Sequence, residues 1–127
     1  MKKQFLLLLS TGILLTSAII IFRPIPILPE ERLSVISGTV EDIFEEGEFD
    51  IVLTMKEDQN SYYINRGIEQ GLSINDLKSK LIDKEVIIKY PNFWSPLQNS
   101  HIRHLSKLIY ENQIIYTELE SDLLAKN

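Results

Sequence analysis

The sequence contains no cysteine. That excludes disulfides, thiolate metal sites, a cysteine nucleophile and a lipidated lipoprotein cysteine. It leaves the redox compartment open, because a cysteine-free chain is tolerated on either side of a membrane. Histidine is nearly as scarce: His101 and His104 are the only two, and two imidazoles without a thiolate make a poor zinc set. Basic residues are few beyond the first turn of prolines. Of 13 Lys+Arg, Lys2, Lys3 and Arg23 precede Pro24, leaving ten against 18 Asp+Glu, a net of −8 where the whole chain carries −5. An acidic domain gains nothing from counterion release on a phosphate backbone and does not lie flat on anionic lipid heads, so no nucleic-acid partner is expected. There is also no low-complexity run, no solenoid-period repeat, no G-x-S-x-G, no G-x-G-x-x-G or P-loop, and no EF-hand spacing. No catalytic set, metal site or cofactor is expected.

What is present begins with a long apolar run. "FLLLLSTGILLTSAIIIF", Phe5 to Phe22, carries no charge, and Gln4 extends it to 19 uncharged positions. At about 1.5 Å per residue this just spans a ~30 Å hydrocarbon core. Lys2, Lys3 and the amino terminus precede it, whereas Arg23 is followed by Glu30 and Glu31. The positive-inside bias therefore places the amino terminus in the cytoplasm and the remainder outside, as a single-pass protein of the cytoplasmic membrane. The run is apolar all round, unlike a core helix with a polar face. A cleaved signal peptide is the rival, with Thr16-Ser17-Ala18 as its small-residue site and a secreted binding protein as its product. An uncleaved signal-anchor is preferred because "IIIF" continues the apolar run past Ala18.

The organisation that follows is an anchor over residues 1–22, a proline-rich spacer over 23–32, a β domain over 33–120 and a frayed tail over 121–127. Pro24, Pro26 and Pro29 exclude a helix interior or central strand and favour a stiff, extended path. "RLSVISGTVEDIF", "FDIVLTM" and "SYYIN" read as three strands rich in β-branched and aromatic residues. Gly38 within the first marks a bend, bulge or close backbone approach. Ser73 is an N-cap with Asp76 three residues on, Leu72 and Leu77 stand at hydrophobic-staple spacing, and Ile74, Leu77 and Leu81 form one stripe. A short capped helix from Ile74 to about Ile82 follows, and Gly67 and Gly71 let the chain turn into it. "KEVIIKY" is a fourth strand. "HIRHLSKLIY" is a fifth, whose broken alternation predicts a bulge, and "QIIYTEL" returns after the two-residue turn "EN".

Three strands, one helix and two or three further short antiparallel strands give a mainly β (α+β) fold. The order matches a small OB-like antiparallel β-barrel with its helix between strands 3 and 4. Barrel closure would remove the edges of so small a sheet; an open α+β roll is the alternative. "SGTVEDI", "YYINRGIEQGL", "DLKSKLIDKEVIIKY", "WSPL" and "IRHLSKLIY…IIY" together resemble uncharacterised small membrane-anchored bacterial proteins with an OB-like extracytoplasmic domain. The resemblance covers most of the chain after the spacer and implies no activity or catalytic residues.

Four residues are candidates for binding: Tyr63, Asn65, Arg66 and Trp94. Aromatic rings on an OB-like face can stack on a ligand, although strand alternation sends about half of them into the core. Trp94 lies in a loop between Pro91 and Pro96, where a buried lid is its alternative role. "NRG" offers Arg66 to an anion or, as the alternative, to one of the chain's own carboxylates. On a strand, His101 and His104 fall on opposite faces and read as polar surface residues. The expected function is a membrane-anchored, extracytoplasmic, non-catalytic binding module with an envelope or membrane protein partner. The alternative is a small membrane-associated enzyme using carboxylates such as Glu48 and Asp50, which would have to converge in a pocket.

Overall fold

A computed structural model describes residues 1–93, 96 and 101–125 of the chain. The chain divides into two compact units, residues 1–25 with 93–98, and residues 26–92 with 99–127. The first unit is built on helix α1 (Lys2–Ile21), none of whose residues is buried. By length and composition α1 can cross a membrane. Its hydroxyls turn back on the helix: Ser10 and Thr11 donate to the Leu7 carbonyl at 2.9 Å, and Thr16 and Ser17 donate to Gly12 and Ile13 at 2.8 Å. None of these four hydroxyls needs water, as hydrocarbon surroundings require. Beyond the helix, the Arg23 guanidinium stands 4.5 Å over the Phe93 ring, within cation–π range.

The second unit holds a 3-10 turn (Glu30–Arg32), strands β1 (Ser34–Glu46), β2 (Asp50–Met55) and β3 (Ser61–Ile64), helix α2 (Ile74–Leu81), strands β4 (Glu85–Tyr90), β5 (Ile102–His104), β6 (Lys107–Tyr110) and β7 (Gln113–Thr117), and helix α3 (Glu120–Ala125). The strands form one seven-stranded sheet in the order β5-β3-β2-β1-β4-β6-β7. Every pairing is antiparallel except β3 with β5. The mainly β class and the helix between the third and fourth strands agree with the expectation. The ladder itself is an open order with β5 and β7 at its ends. The single fifth strand expected over "HIRHLSKLIY" is divided at Leu105–Ser106, where alternation breaks.

β1 is long enough to serve two partners. Its residues Ser34–Thr39 pair with β4, and its register with β2 runs from Val40 and shifts between Val40 and Asp42. Gly38 sits just before this change. A Cβ there would lie 3.0 Å from the Met55 sulfur, so the glycine marks the close approach that its place in a strand implied. Alternation then fills the core from Val40, Ile43, Ile51, Leu53, Met55, Tyr62, Ile64, Val86, Ile88 and Leu108. Tyr62 points inward against Tyr90, with ring centroids 5.6 Å apart, and its hydroxyl donates to Asp58 at 2.8 Å. α2 closes the core with Leu77 and Leu81, both buried. Its start is held by Ser73, whose Oγ accepts from the Asp76 N–H at 3.3 Å. The stretch from Tyr62 to Leu81 is therefore a strand, a turn and a capped helix.

Candidate functional site

Register and alternation define two rows of side chains on the outer surface of the sheet. The first crosses β1, β2, β3 and β5. Phe44 pairs with Val52, Val52 with Tyr63, and Tyr63 with His104. Each of these residues neighbours a buried core residue, so the row faces away from the core. Phe44 is 36% exposed and Val52 only 4%, its short side chain lying between two rings. Tyr63 is half-buried and meets the His104 ring edge-on, with centroids 5.3 Å apart at 74°. Burial raises the Tyr63 hydroxyl above its ordinary range, with the negative charges of Asp50 and Glu118 adding to it. Tyr63 is thus a neutral donor throughout physiological pH.

His104 corrects the expectation of a polar surface histidine: it is buried. Its Nε2 lies 2.9 Å from both carboxylate oxygens of Glu118. The Ser106 hydroxyl donates to the same carboxylate at 2.6 Å, and the Glu118 N–H donates to the Ser106 carbonyl at 3.0 Å. Burial acts to raise Glu118, but the hydrogen bonds from His104 and Ser106 outweigh it and hold the carboxyl below its ordinary value. A serine, a histidine and a carboxylate are together here, yet the serine is fully buried and its proton faces the carboxylate rather than the imidazole. The cluster fixes the His104 ring, and through it the edge against which Tyr63 rests.

Two further rows flank the first. Asp42, Thr54, Ser61 and Ile102 lie on one side, and Glu46 with Asp50 on the other. The turn between β1 and β2 adds exposed Glu48 and Phe49. Among the sequence-predicted residues, Arg66 and Asn65 stand beyond this edge, both exposed. The Arg66 N–H donates to Asp50 Oδ1 at 2.7 Å, and its guanidinium lies 3.6 Å from Glu69, so a carboxylate of the chain itself is its partner. The Asn65 carbonyl accepts from Gln70 at 2.7 Å. Trp94 lies outside the described residues.

The second outer row crosses β1, β4, β6 and β7: Val35, Lys89, Lys107 and Thr117. Its lysines are covered. Glu30 Oε1 lies 2.6 Å from Lys89 Nζ and 3.1 Å from Lys107 Nζ. Asp122 of α3 holds Lys107 at 3.0 Å and accepts from the Thr117 hydroxyl at 2.7 Å. Burial acts to lower Lys107, but its two carboxylate partners outweigh it and raise it. Glu30 is held low by its hydrogen bonds to Lys89 and Lys107. Asp122 is held low by Thr117 and Lys107 against the opposing effect of burial. The end of the spacer and the stretch from residue 121, expected to fray, are both fastened here. Beside this network an open cleft of about 410 Å³ runs between Ile27–Glu30 and Leu119–Ser121. Its walls are mostly apolar, and neither Glu48 nor Asp50 reaches it.

Sequence reasoning missed both ionic clusters. The one available signal was "HLSKL", where two consecutive polar residues interrupt a strand. Their partners lie up to 77 positions away. Comparison with known proteins returns no matching family, no matching curated protein and no matching solved structure.

Proposed function

We propose that the protein is a membrane-anchored, extracytoplasmic, non-catalytic binding module whose β domain is an OB-like barrel. The observation that carries the binding reading is the outer row Phe44–Val52–Tyr63–His104. Aromatic rings are held there at a sheet surface, one of them edge-on against a fixed imidazole. The barrel reading is supported by the break in the fifth strand. The Leu105 N–H donates to the Tyr63 carbonyl at 2.8 Å, and the next N–H, of Ser106, donates to the Lys89 carbonyl at 2.9 Å. One short stretch thereby bridges β3 and β4, the strands between which an OB-like barrel closes. The anchor reading is supported by α1 and by lysines before it. Intact-mass measurement of the mature chain is expected to show residues 1–22 retained; a chain beginning at Ile19 overturns the anchor.

The module reading is tested by crosslinking the anchored protein in native membranes and identifying what is recovered. A defined membrane or envelope protein, lost when Tyr63→Ala is used, is the expected result. Recovery of the chain alone overturns the reading.

A further inference from the structure

We infer that the outer face of β1, β2, β3 and β5 binds a cationic, apolar stretch of a protein, such as an extended segment that carries lysine or arginine and aliphatic residues in turn along one of its two faces. The inference rests on the module reading and names its partner class.

Four observations on one surface lead there. The first is the apolar spine. Phe44 is 36% exposed, and Phe49, at the adjoining turn, is 46% exposed. With Tyr63 they give ring surface that water wets poorly. The second is charge. Asp42, Glu46 and Asp50 flank the spine in the neighbouring rows, and Glu48 stands at the hairpin end beside them. The third is that this charge is largely unspent. Among the described residues Glu46 and Glu48 take part in no ion pair; Asp42 has Lys78 as its one cation, at 3.6 Å with both side chains about half exposed, and otherwise accepts the Ile43 N–H; Asp50 accepts the Arg66 N–H. The fourth is shape. The rows form a sheet surface, which suits an extended segment crossing several strands.

Together these specify complementary chemistry. Carboxylates around exposed rings attract ammonium or guanidinium groups, which also gain from the ring faces. The apolar spine requires aliphatic side chains between those cations. A phosphate backbone meets only repulsion. A small free amine would leave the ring row uncovered.

The test uses the full chain in phosphatidylcholine nanodiscs, with the signal of empty nanodiscs subtracted. The probe is a fluorescein-labelled decapeptide repeating lysine-serine-valine-serine, which places lysine and valine in turn on one face of an extended chain. Saturable binding that weakens with added salt is expected. Phe44→Ala should weaken it about tenfold or more. The pair Glu46→Gln and Glu48→Gln, which removes no side-chain hydrogen bond among the described residues, should weaken it about two- to fivefold and flatten its salt dependence. Val35→Ala, on the other outer row, should leave it unchanged. The inference is overturned if the same peptide with glutamate in place of lysine, or oligolysine, binds equally well. It is also overturned if the Glu46/Glu48 variant, folded by its denaturant midpoint, binds like the parent. Membrane crosslinking tests the module reading separately: a partner recovered undiminished by Phe44→Ala sustains that reading and removes this one.

Discussion

The two outer rows of the sheet share a scaffold and differ in what became of their charge. On the β4–β6–β7 side, Lys89 and Lys107 are matched by Glu30 and Asp122, and the Lys107 side chain is only 7% exposed. The chain covers this face with its own 3-10 turn and its own last helix. On the β2–β3–β5 side, rings and carboxylates remain at the surface, while His104, Ser106 and Glu118 are drawn into a closed cluster. A charge satisfied internally stabilises a fold but offers little to a partner, whereas exposed charge beside rings costs little folding energy and stays available. The first face is therefore the structural one, and the second is the face we propose for recognition.

The largest effect that would break this comparison lies on the covered face. Lys107→Ala leaves Asp122 and part of Glu30 without their cation and is expected to cost about 3–5 kcal/mol. Lys107→Met, which keeps the stem, should be milder than alanine if lost packing contributes. Denaturant midpoints of the chain in detergent measure both; a loss under ~1 kcal/mol for alanine would mean that the network behaves like a surface ion pair.

Leu81→Ala tests the core that both faces share. Leu81 is fully buried, and its removal opens a cavity under α2 worth about 2–5 kcal/mol. Ser73→Ala, which removes only the cap, should cost about 0.5–2 kcal/mol. If the two variants cost the same, α2 is held by its cap and not by the core.

Acid sharpens the contrast. Glu30, Glu118 and Asp122 are all held below their ordinary values in the folded chain. Such groups contribute stability that is present above the unfolded carboxylate pKa, about 4, and lost as pH falls through the folded value. Lys107 is raised, so its contribution is full below its unfolded value and is lost as pH rises through the folded one. Thermal midpoints should therefore be flat through neutrality and fall below about pH 4. Lys107→Met should make the acid fall shallower, and a profile unchanged by that variant would remove the network as its cause.

The smallest effect is expected on the open face. Phe44→Ala should change stability by no more than about 0.5 kcal/mol while weakening peptide binding. A large loss of stability would place Phe44 in the structure rather than in recognition.

Several features followed from local sequence physics alone. The run Phe5–Phe22 has no charge to turn away from lipid, so the α1 helix was legible from composition. Ser73, Asp76, Leu77 and Leu81 meet within two turns of one helix, and their cap and stripe depend on 3.6-residue periodicity alone. Strand alternation placed residues of β2 and β3 inward or outward, and broken alternation in "HIRHLSKLIY" located the division between β5 and β6. Tertiary structure decided the rest. The inward or outward sense of a row says nothing of which strand lies beside it. Only the pairing of β3 with β5 set His104 against Tyr63, turning an expected surface histidine into a buried one. Glu30 and Lys107 are separated by 77 positions, and no local period records such a pairing. Even the charge told different stories in the two places: composition showed an acidic domain, but only the fold showed which carboxylates are spent on lysines and which remain beside exposed rings, because partners are fixed by strand order and not by distance along the chain.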